Sequence, residues 1–169
     1  MSGVTHARQS EGRKWDTKMS RAFTLFVFFF TAVFAVDQSI KAAVLNGFRW
    51  YGEYFSLILA FNKGIAFAMF SFLEDELKYI QLAILGMAFV YFYTNRARFK
   101  KYAFPLGVIT GSALSNIYDR FIHGGVVDYF FWHFGINLPV FNFADIMIDV
   151  GILILIYIAF KPMQASRKL

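Results

Sequence analysis

Apolar residues fall in four long runs along this chain, each near the ~20 residues that a helix needs to cross a hydrocarbon core. The runs lie at about 22–44, opening AFTLFVFFFTAVFAV, about 79–95 (YIQLAILGMAFVYFYTN), about 102–118 (YAFPLGVITGSALSNIY) and about 145–160 (DIMIDVGILILIYIAF). Residues 54–73, YFSLILAFNKGIAFAMFSFL, are long and apolar enough to span as well. Their Asn-Lys-Gly centre and alternating flanks predict instead a hairpin or strand pair at the outer surface. Residues 129–143, YFFWHFGINLPVFNF, carry Gly, Asn and Pro among many aromatics. They predict a loop lying in the membrane interface, where Trp and Tyr favour the headgroup level. The first apolar run follows a basic stretch, as in a signal peptide, but it is long and lacks a small-x-small cleavage site, so a retained span is expected. No repeat, low-complexity tract or linker interrupts the chain, which is expected to form one domain over 1–169, with 1–20 as a polar, mobile cytoplasmic tail drawn to anionic lipid.

The composition agrees. Of 169 residues, 58% are hydrophobic and 21% aromatic, including 23 Phe and 9 Tyr, which is too apolar for an ordinary soluble domain. The absence of Cys excludes a disulfide scaffold, a thiolate metal site and a cysteine nucleophile. A net charge of +6 would suit a nucleic-acid partner, but the placement of the cations points elsewhere. They gather at Arg8, Arg13, Lys14, Lys18 and Arg21, at Arg96, Arg98, Lys100 and Lys101, and at Lys161, Arg167 and Lys168. Four spans place all three clusters on one side, which the positive-inside tendency makes the cytoplasm. A fifth span at 54–73 would move the Arg96–Lys101 cluster outside. The expected fold class is therefore an all-α membrane protein with four transmembrane helices, a small extracytoplasmic β-like segment, a periplasmic aromatic loop and both termini in the cytoplasm.

Charges inside such spans cost several kcal/mol and mark function or a paired structural role. At ~1.5 Å per helical residue, Asp37 lies ~22 Å from the inner end of the first span, in the outer third of a ~30 Å core. The same arithmetic from residue 102 puts Asn116, Asp119 and Arg120 at ~21–27 Å. Asp145 opens the last span from outside, and Asp128 lies in the outer loop before it. Five charged residues thus converge on one depth. Some have ordinary explanations: Asp37 and Lys41 are i,i+4 and can neutralise each other, and Asp119 with Arg120 can end a helix at the headgroups. Gly107, Gly111 and Ser115, four apart, form a small-residue stripe for close helix packing. Asp128 and Asp145 have no such explanation, since residues 121–160 contain no Lys or Arg. Two carboxylates in apolar surroundings split each other's pKa values and leave one protonated and one ionised, as activation of a water requires. Asp149, one turn deeper, is a rival for one of these roles. His6, His123 and His133 show no metal-ligand spacing, and no HExxH, GxSxG or phosphate loop occurs. Ser39 and Lys41 lie on different helix faces. An aspartic-type hydrolase without metal or cofactor remains. A proton-coupled carrier would spread its acids through the membrane's depth and often repeat one half of its chain, and a structural subunit would leave the outer carboxylates unexplained.

These residues resemble the lipoprotein signal peptidase (signal peptidase II) family. The match begins with Asp37, Gln38 and Lys41 in DQSIK and continues with FNKGIAF at 61–67. NIYDRFIHGGVVDYF at 116–130 is similar to Asn-x-x-Asp-Arg-x-x-x-Gly-x-Val-x-Asp-Phe, with the last aromatic changed to Tyr. FNFADIMIDVG at 141–151 is similar to Phe-Asn-x-Ala-Asp-x-x-Ile-x-x-Gly. The resemblance implies a four-span aspartyl endopeptidase of the bacterial inner membrane that cleaves prolipoproteins N-terminal to a diacylglyceryl-modified cysteine. By motif, Asp128 and Asp145 become the catalytic pair, and Asp37, Lys41, Asn62, Gly64, Asn116, Arg120 and Asn142 shape the site. The implied partners are diacylglyceryl prolipoproteins and membrane lipids, with the enzyme expected as a monomer. Ser112 and Ser115 stand where family members often have Gly, and Asp149 stands where an uncharged residue is expected.

Overall fold

The computed structural model describes residues 2–64, 73–136 and 138–161. Four helices, α1 (Ser2–Leu45), α2 (Glu74–Thr94), α3 (Arg96–His123) and α4 (Phe143–Phe160), are joined by a small sheet of β1 (Trp50–Tyr51), β2 (Phe55–Asn62) and β3 (Val126–Trp132). Among the described residues, Thr17–Leu45, Glu76–Thr94 and Phe143–Phe160 are long and apolar enough to cross a membrane. Their flanks expose Phe28, Met87, Phe89, Leu153 and Phe160, a surface that suits hydrocarbon rather than water. The 28-residue α3 is more polar because it is the central helix, packed against α1, α2 and α4 and burying Asn116, Asp119 and Arg120 on the way.

The helices overrun the expected spans. The backbone of α1 is already helical at Ser2, so the basic N-terminal stretch continues the first helix. Its residues 7–14 include Ala, Arg, Gln, Glu and Lys, all good helix formers. The small-residue stripe does what its spacing predicts. A Cβ on Gly107 would come within 2.5 Å of the Phe26 carbonyl oxygen, and one on Gly111 within 2.5 Å of that of Phe30. Only glycine lets α1 and α3 approach this closely.

The sheet is antiparallel in the order β1-β2-β3. Residues 54–73 do supply a strand, β2, but its partners come from elsewhere: Trp50 pairs with Leu57 on one edge and Val126 pairs with Asn62 on the other. The second arm of the expected hairpin, 65–72, lies outside the described residues. The aromatic loop expected at 129–143 is corrected in its first part, because residues 129–132 belong to β3. Cross-strand rings account for the difference. Phe55 stacks on Phe130 at 4.8 Å and on Trp50 at 4.6 Å, and such pairs stabilise a sheet beyond their burial. Beyond Trp132 the chain returns irregularly, and Phe141 bridges back to Phe130.

Glycine substitutions separate packing from helix propensity. Gly107→Ala or Gly111→Ala should destabilise the protein by about 1–3 kcal/mol through overpacking against α1. Gly86, with nothing within 4 Å of its Cβ position, should gain about 0.5–1 kcal/mol as Ala. Thermal unfolding of the purified protein in detergent measures both.

Candidate active site

The site is built outward from one buried ammonium. Lys41 is 1% exposed, and its Nζ lies 2.6 Å from Asp37 one helical turn earlier and 2.6 Å from Asp119 on α3. It also donates to Asn116 Oδ1 at 2.8 Å. The i,i+4 pair seen in the sequence is therefore half of a triad, and Asp119 does not end a helix at the headgroups. Gln38, next to Asp37, donates to Asp119 Oδ1 at 2.8 Å and to Ser115 Oγ at 2.8 Å. Ser115 in turn donates to Asp37 Oδ2 at 2.6 Å. Ser115 thus belongs to the polar network as well as to the packing stripe.

The two acids then reach out of the bundle to hold backbone amides. Asp119 Oδ2 accepts from the Val127 N–H at 3.1 Å, which seats β3 beside Asp128. Asp37 Oδ1 accepts from the Ala144 N–H at 3.0 Å in the first turn of α4. A helix leaves its first N–H groups without internal partners, and here side chains supply them. Phe143 N–H donates to Tyr129 Oη at 2.9 Å, and Asp145 N–H donates to Asn142 Oδ1 at 2.9 Å. Asp145 Oδ2 accepts from the Asn142 N–H at 3.0 Å, completing a capping box. The side chain of Asp145 is therefore aimed by the same contacts that start its helix.

Asn142 links both candidate acids. Its backbone holds Asp145, and its Nδ2 donates to Asp128 Oδ1 at 2.7 Å and to Asn116 Oδ1 at 3.1 Å. Asn116 Nδ2 donates to Asp145 Oδ1 at 2.9 Å, and Asn62 Nδ2 donates to Asp128 Oδ2 at 3.0 Å. Each carboxyl is gripped on both oxygens, and one asparagine touches both. Asp128 is 1% exposed, whereas Asp145 is only part-buried, so the pair opens on the Asp145 side. Burial, and then the charge of Asp145, push the Asp128 carboxyl up to about 7, against the hydrogen bonds from Asn62 and Asn142 that pull it down.

Arg120 Nη1 donates to the Lys63 carbonyl at 3.4 Å, and Nη2 donates to the Gly64 carbonyl. Gly64 N–H donates to Asn62 Oδ1 at 3.0 Å, so this turn orients the Asn62 amide toward Asp128. Arg120 Nε is buried and has no hydrogen-bond partner among the described residues. The structure therefore brings together every residue singled out in the sequence for the site: Asp37, Lys41, Asn62, Gly64, Asn116, Arg120, Asp128, Asn142 and Asp145. Asp149 stands apart and is exposed on α4. Gln38 and Tyr129 were not among the expected site residues. Gln38 lies beside Asp37 in the matching DQSIK stretch, whereas nothing in the sequence tied the Tyr129 hydroxyl to an amide at residue 143.

Comparison with known proteins identifies the family. Residues 29–161 match the family described as Signal peptidase (SPase) II. The chain is 52% identical to the lipoprotein signal peptidase of Wolinella succinogenes over 131 residues, covering 78% of this chain and 90% of that one. It is 47% identical to the lipoprotein signal peptidase of Campylobacter jejuni over 155 residues, covering 89% and 99%. A solved bacterial membrane enzyme is similar in fold with a TM-score of 0.68 at 25% identity, covering 83% of this chain and 94% of that one. The chain belongs to the signal peptidase II family of membrane proteases.

Proposed function

We propose that this protein is a four-span aspartyl endopeptidase of the bacterial cytoplasmic membrane. It removes signal peptides from diacylglyceryl prolipoproteins at the outer face, on the N-terminal side of the lipidated cysteine. The observation that carries this reading is Asn142, which holds Asp145 through its backbone and Asp128 through its side chain. With α3 taken as the remaining span, the positive-inside tendency supports the cation clusters and both termini on the cytoplasmic side and the acids at the outer rim. A signal peptide crosses the bilayer, so its scissile bond emerges at that rim. The acyl chains stay in lipid and enter from the side. The relatives' names support prolipoproteins as substrates, and the enzyme is proposed to act as a monomer.

In the resting pair Asp128 holds the proton and Asp145 is the base, since the first turn of α4 favours an anion there. Asp145 takes a proton from water as the water oxygen attacks the scissile carbonyl, and Asp128 gives its proton to the carbonyl oxygen. When the C–N bond breaks, Asp145 returns its proton to the cysteine nitrogen, and the collapsing diol re-protonates Asp128. Arg120, through the carbonyls of Lys63 and Gly64, positions the turn that carries Asn62. The buried asparagines keep both carboxyls in place through the cycle.

Asp128→Asn and Asp145→Asn should each lower cleavage of a diacylated prolipoprotein peptide by at least about 10²–10⁴-fold, with the purified protein still folded in detergent. Full activity in either variant removes that residue from the pair. Asp149→Asn should cost less than about tenfold, under about 1.4 kcal/mol of transition-state stabilisation. A folded but inactive Asp149→Asn protein would put this residue in the dyad instead.

The titration of Asp128 gives a second test. As pH rises through about 7 the pair loses its shared proton, so kcat/KM should fall there. A carboxyl infrared band should vanish over the same range and shift to lower pH in Asp145→Asn, where the neighbouring charge is gone. The sign for stability is opposite to that of a salt-bridged acid. The folded chain binds this proton more tightly than the unfolded one, so the group's contribution declines from pH 3.8 to about 7.

A further inference from the structure

At the end of the bundle away from the acids, α1 and α2 both lean on α3 and leave an apolar groove of about 440 Å³. Phe26 and Phe30 of α1 form one wall, Phe89 and Phe92 of α2 the other, and Leu106 of α3 the floor. Arg96, the first residue of α3, lines the groove where α2 turns into α3 at Asn95. Lys18 of α1 is exposed at the same end, and its charge and that of Lys100 on α3 act on each other. The sequence has no Asp or Glu at 17–36 or 77–118. A greasy slot and a cationic collar therefore sit side by side, which is the pattern of a ligand with an apolar tail and an anionic head.

We propose that this groove binds one acyl chain of an anionic glycerophospholipid, with the phosphate against Arg96 and within the field of Lys18 and Lys100, at a site separate from the peptidase centre. The lining favours an acyl chain with an anionic head: it is almost wholly apolar, with Arg96 at one end. The inference rests on the proposed orientation only in assigning the groove to the cytoplasmic leaflet, because the slot and its cations are properties of the helices whichever way they cross. Bound lipid would bridge α1 and α2, which otherwise meet mainly through α3.

Native mass spectrometry of the purified protein, offered equal phosphatidylglycerol and phosphatidylcholine with the same chains, tests the site. One phosphatidylglycerol should be retained with roughly tenfold preference, the discrimination expected from one or two cation contacts. Arg96→Gln should erase most of the preference while a lipid still binds. Ala88→Leu, and more strongly Ala88→Trp, should fill the slot and release the lipid in graded fashion. Cleavage of the diacylated peptide, read in parallel, should keep its kcat in all three variants. Loss of that activity in Asp128→Asn alone would leave the lipid result intact, so the two readings fail separately. Equal retention of both lipids by the unmodified protein, or retention untouched by Arg96→Gln and Ala88→Leu, overturns the proposal. A raised substrate KM in Ala88→Leu with lipid retention unchanged also overturns it and assigns the groove to the signal peptide.

Discussion

An ammonium ion held inside an apolar bundle is the constraint that organises this protein. Removing Lys41 from water carries a penalty of several kcal/mol, which only close opposite charge and further hydrogen bonds can offset. Asp37 and Asp119 supply the charge and Asn116 the additional acceptor. The compensation is also structural. Asp37 extends from α1 to the first turn of α4, and Asp119 extends from α3 to the start of β3. A single buried cation therefore couples α1 to α3 by charge, and its two acids tie α4 and the sheet to the same cluster through backbone amides. Gly107 and Gly111 make the coupling possible by bringing α1 within reach of α3 one and two turns below Ser115.

From this anchor the proposed reacting groups are held at one remove. Asp145 is the third residue of α4, so the capping box that starts the helix also sets the carboxyl's direction. Asp128 hangs from β3, where one oxygen is held by Asn142 and the other by Asn62. Asn116 carries the connection from the Lys41 cluster to Asp145. Amide side chains suit this position because each both donates and accepts, and none adds charge beside acids that must exchange a proton.

Much of this was legible in the sequence because hydrocarbon makes polar residues conspicuous. Depth arithmetic on Asp37, Asn116, Asp119 and Arg120, with Asp128 in the outer loop and Asp145 opening the last span, placed them at one level, and the structure joins them in one network. Pairing was harder to read. Asp37 and Lys41 looked self-sufficient at i,i+4, and only the fold adds Asp119. Ser115 looked like packing alone, since a small residue at a helix crossing signals approach without revealing that its hydroxyl reaches Asp37. The strand at 55–62 followed from its local pattern, but its partner at 126–132 lies more than sixty residues on, and no local signal specifies a partner at that separation. The same aromatics that suggested an interfacial loop at 129–143 serve in part as cross-strand contacts for β3.

Charge balance explains why the proposed chemistry calls for a shared proton. The cluster contains four carboxyls, those of Asp37, Asp119, Asp128 and Asp145, against two cations, Lys41 and Arg120. The first two acids are committed to Lys41, and Arg120 turns its guanidinium toward the carbonyls of Lys63 and Gly64. Lys41 and Arg120 act on the remaining pair through space while their hydrogen bonds go elsewhere. Two adjacent anions in such a place repel each other strongly, and retaining one proton relieves most of that repulsion. A cation bonded to the pair would hold both carboxyls ionised and remove the acid. On this reading the absence of Lys and Arg from 121–160 suits the mechanism, and the proton that the pair retains is the one used to open the peptide bond.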